Sequence, residues 1–227
     1  MKFIIMRKAI LTSDNSHTFF DKRTGEHYHS TFGAIQESEH IFISAGLEFI
    51  IKNKSDINIL EIGFGTGLNA LLSYKHASDN LFNISYFAIE AYPIEQSEAA
   101  VLNYPKILKT DPKAFLQMHE KTEEIIKIGE RFILQKQFDK LELIEFAKEQ
   151  FDVVFFDAFS PDVQPELWTE DIFRKIFDSM KMNAVLTTYS CKGIVKRALK
   201  SAGFQIEKLP GPPGKREFLR AVKRSDG

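Results

Sequence analysis

Glu61, Gly63, Gly65 and Gly67, within "ILEIGFGTGLNALL", have a spacing that asks for a close partner. An apolar run ends in three glycines at alternate positions and continues as a helical pattern. Three glycines at a helix start disfavour the helix, but a missing Cβ permits unusual dihedrals and close approach to the backbone. A dinucleotide turn requires G-x-G-x-x-G, with a pyrophosphate at the helix N-terminus. Here the sixth position is Leu68, so that fingerprint fails. A second acid, Glu90, ends "YFAIE", 27 residues after Gly63. A carboxylate at the end of a second strand suits both hydroxyls of a ribose. A third, Asp157, leaves the apolar run "VVFFDAFSPD" just before Pro161. Burying a carboxylate there is costly. Either Asp157 caps the next turn, or it accepts a proton or hydrogen bond from a reacting amine. His27 and His29 share a strand face with no third ligand in view, so no metal is expected. Cys191 is the sole cysteine, which excludes an internal disulfide and a cysteine zinc site.

Those residues need elements to hold them. "INILEIG", "ISYFAIE", "RFILQKQF", "FDVVFFDAF" and "NAVLTTYS" read as strands, several apolar on both faces. Helical patterns fall near 67–78, 94–103, 112–128, 141–149, 166–181 and 192–202. Strand alternating with helix predicts a doubly wound α/β sheet of the Rossmann-like kind. "FQIEKL" and "EFLRAVK" are separated only by "PGPPGKR", so the sheet is expected to end in an antiparallel hairpin. Residues 1–50 are expected to form an N-terminal extension, a small hairpin plus a helix over 35–51, packed on a core of residues 51–227. Composition, 44% hydrophobic over 227 residues, suits one globular domain with such an extension.

The pattern E-x-G-x-G-x-G resembles the first motif of S-adenosylmethionine-dependent methyltransferases of class I. With Asp157 and its loop, with "AGF" at 202–204 and "GKRE" at 214–217, and with Tyr28, Ser30 and Glu37 before an apolar helix, most of the chain resembles the methyltransferase domain of the MnmC family of tRNA wobble-uridine modification enzymes. The resemblance implies S-adenosyl-L-methionine as cofactor, held by the turn Glu61, Gly63, Phe64, Gly65, Gly67, Leu68 and Asn69 and by Glu90. It implies N-methylation of the exocyclic amine of 5-aminomethyl-(2-thio)uridine, with Asp157 positioning the amine and taking its proton. Tyr28, Glu37, Phe159, Ser160, Pro161, Tyr189, Lys215 and Arg216 are the expected substrate contacts, and Trp168 is a further candidate for stacking. The family's acid near the adenine has Asp139 as its nearest counterpart, shifted in position. The chain stops at Gly227, so the stand-alone form is expected, without a flavin domain and with a separate enzyme supplying the aminomethyl group. Other readings stay open: a methyltransferase for another amine, small or on a protein; a non-catalytic tRNA-binding relative; an NAD-dependent oxidoreductase; a polyamine synthase.

Charge points to a partner. Lys192 to Arg224 holds ten Lys and Arg against Glu207 and Glu217, in a chain whose net charge is only -1. A basic terminus is the footprint expected for a polyanion, here the tRNA anticodon loop. Lys192, Lys196 and Lys200, four apart, should share a helix face. No export signal and no 18-residue apolar run stand in the sequence, so a cytoplasmic protein without a membrane span is expected.

Overall fold

The computed structural model describes residues 7–52 and 54–224, so residues 1–6 of the expected extension lie outside it. Strands β1 (Arg7–Leu11), β2 (His17–Asp21) and β3 (Glu26–His27) form a small antiparallel sheet. Helix α1 (Ala34–Ser38) follows. Its first amides have no partner inside the helix. The β1–β2 turn supplies them: Ser16 Oγ accepts from Ala34 N at 3.2 Å and Asp14 Oδ2 from Gln36 N at 3.0 Å. The small sheet and the helix are thereby tied together. The helix expected over 35–51 is present but not uniform. It widens into a π-helical segment, Glu39–Leu47, before α2 (Glu48–Ile51). The wide turn buries Ile41, Phe42 and Ile43 in succession and lays Gly46 on Phe155 and Thr187.

The main chain of elements begins with β4 (Asp56–Ile62), α3 (Leu68–Asn80), β5 (Asn83–Ile89), α4 (Gln96–Ala99), α5 (Tyr104–Leu108) and α6 (Pro112–Met118). It continues through β6 (Ile126–Ile128), β7 (Phe132–Gln137), β8 (Phe151–Phe156), α7 (Glu170–Ser179) and β9 (Met180–Thr188), and ends with α8 (Gly193–Ser201), β10 (Gln205–Pro210) and β11 (Glu217–Val222). The eight strands lie in the order β10-β11-β9-β8-β4-β5-β7-β6. Strand β4 pairs in parallel with both β5 and β8, so the order reverses there. The expected closing hairpin is present: β10 and β11 pair antiparallel, and β11 pairs antiparallel with β9.

Two expected helices are corrected. The pattern over 112–128 ends at Met118, and β6 pairs antiparallel with β7 at the sheet edge. Ile126 and Ile128 are buried and Lys127 exposed, the alternation of a strand rather than a helix. The pattern over 141–149 yields only a 3-10 turn, Leu141–Leu143. Lys175 Nζ donates to the carbonyls of Glu142 at 2.8 Å and Ile144 at 3.1 Å, which holds the backbone in an irregular path.

Alternation also builds the core. Along β8, Val153 and Phe155 join the face covered by the π-helical segment and α3, while Val154 and Phe156 join the face covered by α7 and α8. Both faces are buried, which explains the nearly continuous apolar runs.

Candidate active site

The carboxyl ends of β4, β5 and β8 open on a cavity of about 690 Å³. Its size falls in the range of small-molecule sites, and its place is the reversal point of the strand order. One half of the wall holds Gly63, Gly65, Glu90, Tyr92 and, beyond β7, Asp139. The other half holds Glu37, Asp157, Phe159, Ser160, Tyr189 and Lys215. Tyr28 joins them: its ring covers Gly65 and meets Phe159 edge-on at 5.1 Å.

In the first half, Glu90 Oε2 accepts from Gly65 N at 2.8 Å and Oε1 from Tyr92 N at 2.7 Å. Burial raises the Glu90 carboxyl above its usual range, opposed by those two amides and by Arg7 and Arg23. Gly63 serves packing. A Cβ there would lie 2.6 Å from the Asp157 carbonyl oxygen, and its φ of +90 is one that side chains avoid. Gly65 instead leaves its turn open to the cavity, with Tyr28 Cδ1 as its nearest neighbour. Arg7 pins the small sheet above: its guanidinium donates to Tyr28 Oη at 2.8 Å, and to Glu98 Oε2 and the Tyr92 carbonyl, each at 3.0 Å. A ribose-sized polar end beside an open glycine turn fits a nucleoside cofactor.

Glu61, Phe64, Gly67, Leu68 and Asn69, expected at the cofactor, do not line the cavity. Strand alternation turns Glu61 toward α3, where it is fully buried. There the Asn69 amide nitrogen bridges two acids, donating to Glu61 Oε1 and to Asp157 Oδ2, both at 2.9 Å. Burial pushes Glu61 well above the usual carboxyl range. These residues brace the turn against the loop that follows β8. Gly67 packs on His119, whose Nε2 lies 3.1 Å from the Thr66 carbonyl.

In the second half, burial pushes Asp157 well above its usual range, the nearby charge of Glu37 adds to the shift, and the Asn69 bond and Lys215 oppose it. Glu37 Oε2 accepts from Ser30 N at 2.7 Å. Lys215 Nζ lies 2.9 Å from Glu37 Oε1, an ion pair whose angles do not suit a hydrogen bond. The same ammonium sits 4.5 Å over the Tyr189 ring. The loop after β8 is fixed by Tyr189 Oη to the Ala158 carbonyl and Trp168 Nε1 to the Phe159 carbonyl, each at 2.9 Å. Trp168 is therefore core, not a stacking surface, at 1% exposure. Pro161 is buried and off the cavity wall, and Arg216 is exposed outside it. Sequence reasoning missed Glu26, whose carboxylate accepts from Ser160 N at 3.2 Å and Ser160 Oγ at 2.5 Å. A contact across 134 residues leaves no local signal. His29 lines the cavity, and burial pushes it down to about 4. Among the described residues no three His, Cys, Asp or Glu stand together to hold a metal.

The basic terminus is less free than its charge suggests. Lys192 pairs with Asp162, Lys208 with Glu217 and Arg220 with Glu207. Lys215 faces Glu37, and Lys223 Nζ donates to the carbonyls of Phe177 and Met180, each at 2.9 Å. Lys196, Arg197, Lys200 and Arg216 form no ion pair among the described residues.

A reversed-order parallel sheet with an acid at the end of its second strand and an open glycine turn defines a Rossmann-like fold for a nucleoside cofactor, and comparison gives the family. Residues 103–224 match the family described as S-adenosyl-L-methionine-dependent methyltransferase, and the chain belongs to it. The cofactor class is thus S-adenosyl-L-methionine and not a dinucleotide. The tRNA 5-methylaminomethyl-2-thiouridine biosynthesis bifunctional protein MnmC of Campylobacter hominis is 31% identical over 97% of this chain and 32% of that protein. The chain spans about a third of the length of the curated relatives it matches. The crystal structure of MNMC2 from Aquifex aeolicus superposes with a TM-score of 0.78 at 29% identity, covering 96% of this chain and 70% of that one. A spermidine synthase from Thermotoga maritima shares the fold, with a TM-score of 0.53 at 14% identity over 96% of this chain and 72% of that one. No helix among the described residues is long and apolar enough to cross a membrane.

Proposed function

We propose that the chain N-methylates the exocyclic amine of 5-aminomethyl-(2-thio)uridine at the tRNA wobble position. The observation that carries this is a buried carboxylate, Asp157, facing Glu37 in the same cavity as Glu90. Two acids beside an open space suit a cationic amine. The names of the relatives supply the substrate: they concern tRNA 5-methylaminomethyl-2-thiouridine.

S-adenosyl-L-methionine, when bound, supplies a methyl group already activated on a sulfonium. Glu90 and the Gly63–Gly65 turn would hold its ribose end, and Asp139 stands on the wall beyond for its base. The residues of this chain do the rest. An alkylamine has a reference pKa of about 10.4, so it arrives protonated and must lose a proton before its lone pair is free. Asp157 Oδ1 or Oδ2 accepts that proton, and a carboxyl with a raised pKa is a stronger base than a free aspartate. Glu37, paired with Lys215, adds negative charge beside Asp157 and so favours its protonated form. Tyr28 and Phe159 close the space between the halves and exclude water, which leaves alignment as the main catalytic task. Tyr189 and Ser160 border the uridine. Lys196, Arg197, Lys200 and Arg216 meet tRNA phosphates.

The test is incubation with methyl-labelled S-adenosyl-L-methionine and tRNA carrying the unmethylated aminomethyl group, followed by nucleoside analysis. Label in 5-methylaminomethyl-2-thiouridine is expected. Label in a free nucleoside or a small amine, at a rate equal to or above that in tRNA, would show a methyltransferase for small amines instead.

A further inference from the structure

Phe32 is 54% exposed on the cavity rim. A single exposed hydrophobe is ordinary. Its seating is not. The ring lies so close to Gly214 that a Cβ there would stand 2.2 Å from Phe32 Cδ2, with Gly214 at a φ of +83. The neighbouring Ser30 Oγ accepts from Phe32 N at 3.2 Å. The turn between β10 and β11 thus divides its work over three consecutive residues. Gly214 seats the ring. Lys215 turns inward to Glu37 and Tyr189. Arg216 stays exposed, with no ion pair among the described residues.

We propose that Phe32 is a stacking platform for an unpaired RNA nucleotide next to the one being methylated, with Arg216 meeting its phosphate. An exposed aromatic ring seated on Gly214, with an exposed arginine two residues further along the same turn, matches what one nucleotide offers, a π-face and a charge. The position fits as well. Phe32, Gly214 and Lys215 all border the half of the cavity that contains Asp157. Two other exposed rings on the wall are already covered: Tyr92, which follows Glu90 on the cofactor half, by the Arg23 guanidinium at 4.5 Å, and His27 by Phe20 at 5.0 Å. A base entering the cavity must leave its stack, so its neighbour loses a stacking partner, and Phe32 replaces that partner. The inference rests on the proposed tRNA activity.

The experiment measures binding of an anticodon stem-loop RNA by fluorescence anisotropy and methyl transfer to the same RNA. Phe32→Ala and Phe32→Leu should each bind about tenfold more weakly. Phe32→Tyr should bind as wild type does. Arg216→Gln should lower the slope of log affinity against log salt by about 0.7. Cofactor affinity by calorimetry and melting temperature should not change in any variant. Wild-type affinity in Phe32→Ala, or full rescue by Leu, would overturn the platform and leave only apolar packing. If wild-type protein methylates a small amine and no RNA, the proposed activity falls and the platform with it. If it methylates RNA and Phe32→Ala does so with unchanged KM, the platform alone falls.

Discussion

Asp157→Asn should lower activity and raise stability at once, and the pairing of signs makes it informative. The carboxylate is buried, accepts from Asn69 at 2.9 Å, and is raised first by burial and second by Glu37. Asn keeps the shape and still accepts from Asn69, but it cannot take a proton. Loss of a positioned base should cost about 10²–10⁴-fold in methyl transfer. Stability moves the other way. A carboxyl with a raised folded pKa binds its proton more tightly when folded, so stability falls as pH rises from the ordinary value of 3.8 to the folded value. Above that window the ionised Asp157 is a standing penalty of about 1.4 kcal/mol for each unit of the shift. Asn removes it, so each unit should appear as a melting temperature roughly 3–5 °C higher at pH 8. The difference should vanish in acid, below the ordinary value. Single-turnover transfer with saturating cofactor and thermal melts on the same samples supply both readings. Wild-type transfer across neutral pH, or a lower melting temperature at every pH, would show that Asp157 only caps the loop after β8.

Glu90→Ala should weaken cofactor binding by about 1.5–3 kcal/mol in calorimetry, because it removes a charged acceptor. Charge reversal of Lys196, Arg197 and Lys200 together should flatten the salt dependence of tRNA binding by a slope of about 2 and leave cofactor affinity unchanged; an unaltered slope would mark that helix face as merely solvated. His119, pushed down to about 3 by burial, is neutral when folded, while the unfolded chain protonates it below 6.5. Stability therefore falls as pH drops through that window, by about 2 kcal/mol at pH 5 from this residue alone. His119→Gln should remove that part of the acid loss in denaturant titrations at pH 8 and pH 5.

The central parallel strands β4 and β8 were legible because both their faces are buried, which leaves unbroken apolar runs such as "VVFF". The closing hairpin was legible because a seven-residue spacer, "PGPPGKR", leaves no room for a crossover. Glu90 and Asp157 were legible as acids at strand ends. Edge strand β6 was not, since its three residues follow a genuine helix and take their form from β7. The irregular path after Leu141 depends on Lys175, some thirty residues later. Glu61 and Asn69 were read as ligand contacts because their spacing matches a motif, yet the motif does not say which face of the strand an acid occupies. Glu26 and Phe32 carry no spacing signal at all. Their roles arise from contacts with Ser160 and Gly214.

Those contacts have a consequence for how the protein is made. His40 Nε2 lies 2.7 Å from the Pro210 carbonyl, across 170 residues, and Lys215 reaches Glu37. The strands from β4 to β9 can pair while later residues are still being synthesised, but the half of the cavity around Asp157 also draws on Phe32 and Glu37 before β4 and on Gly214 and Lys215 after β10. Contacts so distant in sequence close slowly, because they carry the largest loop entropy. A chain that has not yet reached Gly214 would therefore display a cofactor cleft whose opposite half lacks Lys215 against Glu37 and the seat of Phe32.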